Sequence, residues 1–365
     1  MGRAYTLISA DSHINEPPHL YVDRVPAKYR DRAPRMERLP QGDAWIIEGA
    51  KDPINFGMNA VAGLPYEKTS AWVRWEDIRP GGYDPAARLI EQDQDRVDAE
   101  IMYPTPRISG GVFYNRSDPE LHNCLIRAYN DWLAEYCSYA PDRLIGIAEI
   151  PSVGIDSAVA ELERAAKLPG MRGVVLAAYP NGGYDVTEED DRFWAICQEL
   201  GWPVSLHVGF TTEAPGAHTT KLPGDVRFYD VPTRIMQLIF AEVFERFPRL
   251  AVELVEVDCG WIPYFREQLD DRYKRIHHYA NLHLPKLPSE YFNSNFYYTY
   301  ITDHYGVKNR HEIGVDKIMW SSDYPHIGAD WPNSWDTIER DFAGVPEEEK
   351  HLILAGNAAR LYGLV

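Results

Sequence analysis

Basic residues are scarce in this 365-residue chain: 37 lysines and arginines stand against 55 aspartates and glutamates, a formal net charge of -18. A field of that sign repels phosphate, so nucleic acids and anionic membranes are not expected partners. Cysteine is scarce as well. The four, Cys124, Cys137, Cys197 and Cys259, include no C-x-x-C pair, which excludes a disulfide framework and predicts a reduced, cytoplasmic protein. No apolar run is long enough to span a bilayer, and the first residues lack the apolar core of a leader peptide. Repeats of solenoid length and low-complexity tracts are missing. No Gly-x-Gly-x-x-Gly turn follows a predicted strand, which weighs against a doubly wound dinucleotide-binding sheet. What is left is an ordinary globular composition, 45% hydrophobic and 25% charged, read as one large α/β domain over residues 1–365.

Strand and helix signals alternate along most of the chain. Strands are predicted over 8–13, 99–104, 143–150, 173–178, 203–208, 250–257, 296–301 and 317–322. Helices are predicted from Asp84-Pro85 and from Asp118-Pro119, where an N-cap aspartate precedes a first-turn proline. Others follow at 155–168, 187–201, 232–247, 261–279, 304–313, 335–342 and 346–362. Eight strands alternating with helices is the count of a (β/α)8 barrel with parallel pairing. A bare barrel needs only about 250 residues. The surplus is assigned to a cap-like insertion at 14–83, with a possible strand at 44–47, and to long loops at 209–231 and 280–295.

In such a barrel the chemistry sits at the C-terminal ends of the strands. Strand one ends at Asp11 and His13, which alternation along a strand points the same way. Strand five ends at His207, strand six at Glu256 and Asp258, and strand eight at Asp323. Singly, each is an ordinary buried or surface polar residue. Together, imidazoles and carboxylates at matching ends of one barrel predict a divalent metal site.

Several segments resemble one family. These are Asp11-Ser-His13-Ile-Asn-Glu-Pro17, Asp84-Pro85 through Tyr103-Pro-Thr105, and Leu206-His207-Val208-Gly209. Gly260-Trp-Ile-Pro263, Ser322-Asp-Tyr-Pro325 and Asn357-Ala-Ala-Arg-Leu-Tyr362 complete the set. The chain is similar over nearly its whole length to the amidohydrolase superfamily, in the branch of the aminocarboxymuconate semialdehyde and γ-resorcylate decarboxylases. The resemblance implies a ligand set of Asp11, His13, His207 and Asp323, with Glu256 as a further candidate ligand. Asp11 departs from the family's histidine at the first position. A family histidine on strand six is replaced by Glu256 or Asp258. Two imidazoles with carboxylates suit Zn, Mn or Fe, and the extra oxygen ligand favours Mn or Fe.

The expected function is therefore a metal-dependent lyase or hydrolase, foremost a decarboxylase of a small, cyclic carboxylated compound. Asp323, Glu256 and His326 are the candidate proton-handling groups, with His304 as a possible assistant. Arg74, between Trp72 and Trp75 in the cap, is a candidate fork for a substrate carboxylate. Two rivals share the fold: a dinuclear Fe or Mn/Fe oxygenase with a second metal, and a non-catalytic structural subunit. The resemblance also implies a homodimer.

Overall fold

The computed structural model describes residues 3–106, 108, 109, 112, 116–208 and 231–365. The predicted 209–231 loop, including Gly209, Pro215 and Gly216, lies outside them apart from Val231. In chain order the strands are β1 (Ile8–His13), β2 (Arg35–Leu39), β3 (Gly42–Ile46), β4 (Ala99–Tyr103) and β5 (Leu144–Glu149). Then come β6 (Met171–Val175), β7 (Val204–His207), β8 (Val252–Val255), β9 (Phe296–Tyr300) and β10 (Ile318–Trp320). β1 and β4 to β10 form one sheet in sequential order, every ladder parallel. The sheet closes on itself. The His13 N–H donates to the Tyr324 carbonyl at 2.7 Å, and the Asp323 N–H to the Asp11 carbonyl at 3.0 Å. This is the expected (β/α)8 barrel. β1, β4 and β5 are buried at every position, as parallel strands between a filled interior and a coat of helices must be.

The helix starts follow local chemistry. The Asp84 side chain accepts from Ala86 and Ala87 N–H ahead of helix Pro85–Gln94, and that of Asp118 from Leu121 N–H ahead of helix Pro119–Ser138. Gly201, at φ 66°, ends helix Asp191–Leu200 in the left-handed conformation that suits glycine. Three predicted helices are interrupted. The 232–247 helix is two pieces, Val231–Phe240 and Val243–Arg246, parted where Glu242 turns left-handed. The 304–313 helix breaks at Asn309, and the 346–362 helix contains a widened turn at Leu352–Gly356. Apolar periodicity reports which face is buried but not whether the axis runs straight.

Residues 14–83 contain one short helix (Leu20–Arg24), several single 3-10 turns and the antiparallel hairpin β2–β3. The 44–47 strand signal belongs to β3. Its partner Arg35-Met-Glu-Arg-Leu39 gave no signal because its side chains are exposed or half-buried. This cap docks on the loop after β10: Ile327 N–H donates to Met58 O, and both Val61 and Ala62 N–H donate to Pro325 O, all at 3.1 Å. No described helix is long and apolar enough to cross a membrane.

β1 is not a plain strand. Ser9 pairs with Glu100 and Ser12 with Met102, so three residues of β1 advance against two of β4. Such a bulge re-aims the side chains beyond it. Here it turns Ser9 and Ser12 together, their hydroxyls 2.9 Å apart and each 3.0 Å from the Ser322 hydroxyl. Asp11 and His13 are left to project into the mouth.

Candidate metal centre

Asp11, His13, His207 and Glu256 each bring a potential ligand atom within 4.8 Å of the others, and so do His13, Asp323 and His326. All but Glu256 are buried. The His13 and His207 Nε2 atoms lie 3.3 Å apart. Asp11 Oδ1 is 3.4 Å from each of them, and Asp323 Oδ1 is 3.4 Å from His13 Nε2.

The tautomers follow from the outer nitrogens. His13 Nδ1 lies 2.8 Å from Pro104 O, and His207 Nδ1 lies 2.7 Å from Val208 O. A carbonyl only accepts, so each Nδ1 carries the hydrogen and each neutral ring turns a lone pair on Nε2 inward. With both rings neutral, two lone pairs and a carboxylate face one point. Neither Asp11 oxygen accepts a hydrogen bond among the described residues, although the side chain is fully buried. Burying a carboxylate without donors costs several kcal/mol, so this arrangement calls for a positive charge at its centre. A divalent cation bonded at about 2.0–2.1 Å separates neighbouring tetrahedral ligands by roughly 3.4 Å, which is the observed spacing of the donors. The donors fit a metal.

The electrostatics agree. Burial, with His326 and His207 beside it, pushes the His13 imidazole well below its usual value. Burial would lower His207 too, but the Asp11 carboxylate overrides it and lifts His207 to about 9. Before a cation arrives, the cluster's demand for positive charge falls on one imidazole.

Asp323 is held just past β10 in the left-handed conformation, φ 53°, a backbone state found mainly where surrounding structure enforces it. Gly328 covers it closely: a Cβ there would come within 2.8 Å of Asp323 Oδ2. His326 Nδ1 is 2.8 Å from Asp323 Oδ1, and its ring stacks on His13 with centroids 3.9 Å apart. Glu256, also left-handed at φ 59°, approaches the outer nitrogen of His207 at 3.9 Å.

Three candidates are not in this cluster. Asp258 is pushed up to about 6 by burial and by the Asp303 carboxylate. His304 is exposed and lies 3.5 Å from Asp341. The expectation for Arg74 requires correction. One guanidinium nitrogen bonds Asp43 at 2.9 Å and Leu39 O at 2.8 Å, and the other bonds Pro40 O at 3.2 Å, so its fork ties the β2–β3 hairpin together.

Two supports were not foreseen. The buried pair Arg88–Glu100 braces the wall behind the cluster. Arg88 bonds both Glu100 oxygens, at 2.5 and 3.0 Å, and also His13 O at 2.9 Å. A charged residue inside the apolar run Ala99-Glu100-Ile101-Met102 was the available signal, since a buried glutamate needs a partner. The other is Asn59 of the cap, whose Nδ2 lies 3.1 Å from His326 Nε2. No local pattern marks it.

The comparisons with known proteins fit this site. The amidohydrolase family model matches residues 11–364. The chain belongs to the amidohydrolase family. A γ-resorcylate decarboxylase from Polaromonas sp. (strain JS666) is 26% identical over 322 residues, covering 80% of this chain and 91% of that protein. An amidohydrolase crystal structure from Mycobacterium avium subsp. paratuberculosis superposes with a TM-score of 0.78 at 21% identity, over 98% of this chain and 99% of that one. A dihydroxybenzoic acid decarboxylase from Polaromonas sp. JS666, solved with manganese and 2-nitroresorcinol, has a TM-score of 0.63 at 21% identity, covering 99% and 98%. With this family, this fold and this cluster, the protein is a metal-dependent enzyme with a divalent cation as cofactor.

Proposed function

We propose that this enzyme removes CO2 from a small, cyclic hydroxycarboxylate, with Asp11, His13, His207 and Asp323 holding one divalent cation. One observation carries the reading. Asp323 Oδ1 faces the inward nitrogen of His13 and also the Nδ1 of His326, so one carboxylate joins a metal site to a proton-carrying imidazole. The relatives named as decarboxylases of dihydroxybenzoates support it, and the manganese in one of them favours Mn over Zn. Glu256, 3.9 Å from His207 Nδ1 and within 4.8 Å of ligand atoms of Asp11 and His13, is a further carboxylate at the edge of the centre.

A divalent cation held by Asp11, His13, His207 and Asp323 would supply Lewis acidity to the site. The protein handles the proton. The Asp323–His326 pair, once it has taken up a proton from solvent, delivers it to the ring carbon that bears the carboxylate. The bond from that carbon to the carboxylate then breaks, its electron pair returns to the ring, and CO2 leaves. The pair is left as a carboxylate and a neutral imidazole, so each CO2 released consumes one solvent proton. His13 and His207 stay in place, their outer nitrogens pinned by Pro104 O and Val208 O.

His13 has a single inward nitrogen, so the two groupings that share it describe one centre. That supports one cation per chain over the dinuclear oxygenase. The deciding experiment loads the purified protein with Mn or Zn, counts metal per chain and screens hydroxyaryl carboxylates for CO2 release. One metal per chain, with CO2 release abolished by Asp323→Asn, is expected. Turnover of esters or amides without CO2, or two iron ions per chain, would overturn the reading.

A further inference from the structure

The cap reaches the reacting centre through one side chain. Asn59 sits in the turn Gly57–Asn59, whose backbone is fixed on several sides. Gly57 N–H donates to Ala71 O at 3.0 Å, Ile327 N–H donates to Met58 O at 3.1 Å, and Asn15 Nδ2 donates to Asn59 O at 2.9 Å. The turn has no slack, because a Cβ on Gly57 would come within 2.1 Å of Ser70 O. Asn15 itself follows β1 two residues after His13, and its N–H donates to Gly82 O at 2.7 Å. Asn59 is thus tied both to the strand that carries Asp11 and His13 and to the loop that carries His326.

From this anchored position Asn59 Nδ2 lies 3.1 Å from His326 Nε2, while His326 Nδ1 lies 2.8 Å from Asp323 Oδ1. The carboxylate oxygen accepts, so Nδ1 carries a hydrogen. In a neutral ring Nε2 is then bare and needs a donor, and the Asn59 amide supplies one. We infer that Asn59 is a positioning residue that locks His326 as the Nδ1–H tautomer aimed at Asp323. It touches neither metal nor substrate and acts through the imidazole. The cap is therefore part of the machinery that holds the proton as well as a cover over the mouth. Without the amide, Nε2 could carry the hydrogen instead, and a ring in that tautomer has nothing to donate toward Asp323. The opposite amide orientation, with Oδ1 toward the ring, goes with a doubly protonated His326 and is the competing state.

This inference rests on the reading of Asp323 and His326 as the proton-handling pair, but its main test needs no substrate. Long-range 1H–15N correlation spectra of the full-length, Zn-loaded protein report the state of each histidine nitrogen, with His326→Gln identifying the His326 signals. The wild type is expected to show a protonated Nδ1 and a bare Nε2. Asn59→Ala should let the two signals move toward each other as tautomers mix. Asn59→Asp keeps the shape and replaces the donor with an acceptor, so it should lose the wild-type pattern while the protein stays folded. With the best substrate found, both variants should lose about 10- to 100-fold in kcat, the usual range for the partner of an active-site ligand, with KM and metal content little changed. A doubly protonated His326 in the wild type would overturn the inference. So would unchanged His326 signals in both variants, or lost signals with kcat within about twofold of wild type. If no carboxylate releases CO2 yet the tautomer still depends on Asn59, the decarboxylase reading has failed and the positioning of His326 stands.

Discussion

The barrel buries carboxylates at two levels, and their surroundings differ. At the mouth, Asp11 meets the inward nitrogens of His13 and His207, each 3.4 Å away, which offer lone pairs to a cation when both rings are neutral. Deeper inside, Glu253 is just as buried but is met by hydroxyls. Tyr103 donates to its Oε2 at 3.0 Å, Ser205 at 3.2 Å, and Tyr362 reaches the same oxygen from the C-terminal helix. Burial lifts Glu253 to about 7, and the hydroxyl bonds hold it from going higher. Both residues lie on barrel strands and both are hidden from water. What separates a metal ligand from a structural glutamate is the company each keeps: acceptors around one, donors around the other.

The sharpest way to break this contrast is to remove a mouth ligand. Asp11→Ala or His207→Ala should empty the site, as measured by metal per chain. The lost transition-state stabilisation is several kcal/mol, roughly a thousandfold or more in CO2 release. Removing the metal from the wild type with a chelator should have the same effect on activity and lower Tm, and adding metal back should restore both.

Next in size is the brace between the levels. Arg88→Met leaves Glu100 buried without its cation and should cost about 3–5 kcal/mol in denaturant unfolding. Replacing both partners with apolar residues should recover much of the loss, because the desolvation cost goes with them.

The deeper carboxylate should respond differently from the mouth. Glu253→Ala removes the acceptor that three hydroxyls share and should cost about 1–3 kcal/mol of stability with metal content unchanged. Glu253→Gln keeps an acceptor and should cost less. Metal loss in either variant would mean that the two levels are one functional unit.

The last effect is one of pH. Burial lifts Glu149, at the end of β5, from 4.5 to about 8, against the opposing bond from the Ser109 hydroxyl. Below about 4.5 the folded and unfolded chains both keep this proton. As pH rises the unfolded chain releases it first, so stability falls until pH reaches about 8. The slope is at most about 1.4 kcal/mol per pH unit for one group. Glu149→Gln should flatten the Tm profile over that window. An unchanged profile would assign the dependence to the other carboxylates lifted by burial, Glu16 and Glu253 to about 7 and Asp258 to about 6.

Much of this was legible in the chain. Each barrel strand is a short apolar run ending in a turn signal, and β1, β7 and β10 end at or near the residues that meet at the mouth. The Asp-Pro starts at Asp84 and Asp118 were readable because a cap and a first-turn proline act within four residues. Arg74 misled because two flanking tryptophans suggested a binding face, whereas its partners Asp43 and Leu39 lie over thirty residues away. Asn59 was invisible for the same reason: its partner His326 is 267 positions distant.

The sequence by itself determined the barrel, the strand ends that carry imidazoles and carboxylates, and the family. These rest on local periodicity and on residue types at a fixed place in a repeating unit. Only the tertiary structure decided which carboxylate meets lone pairs and which meets hydroxyls. It also decided which nitrogen of each histidine faces inward, and that the cap touches His326 through Asn59. A hydrogen bond depends on distance and direction between atoms, and for residues hundreds of positions apart the closed barrel alone sets both.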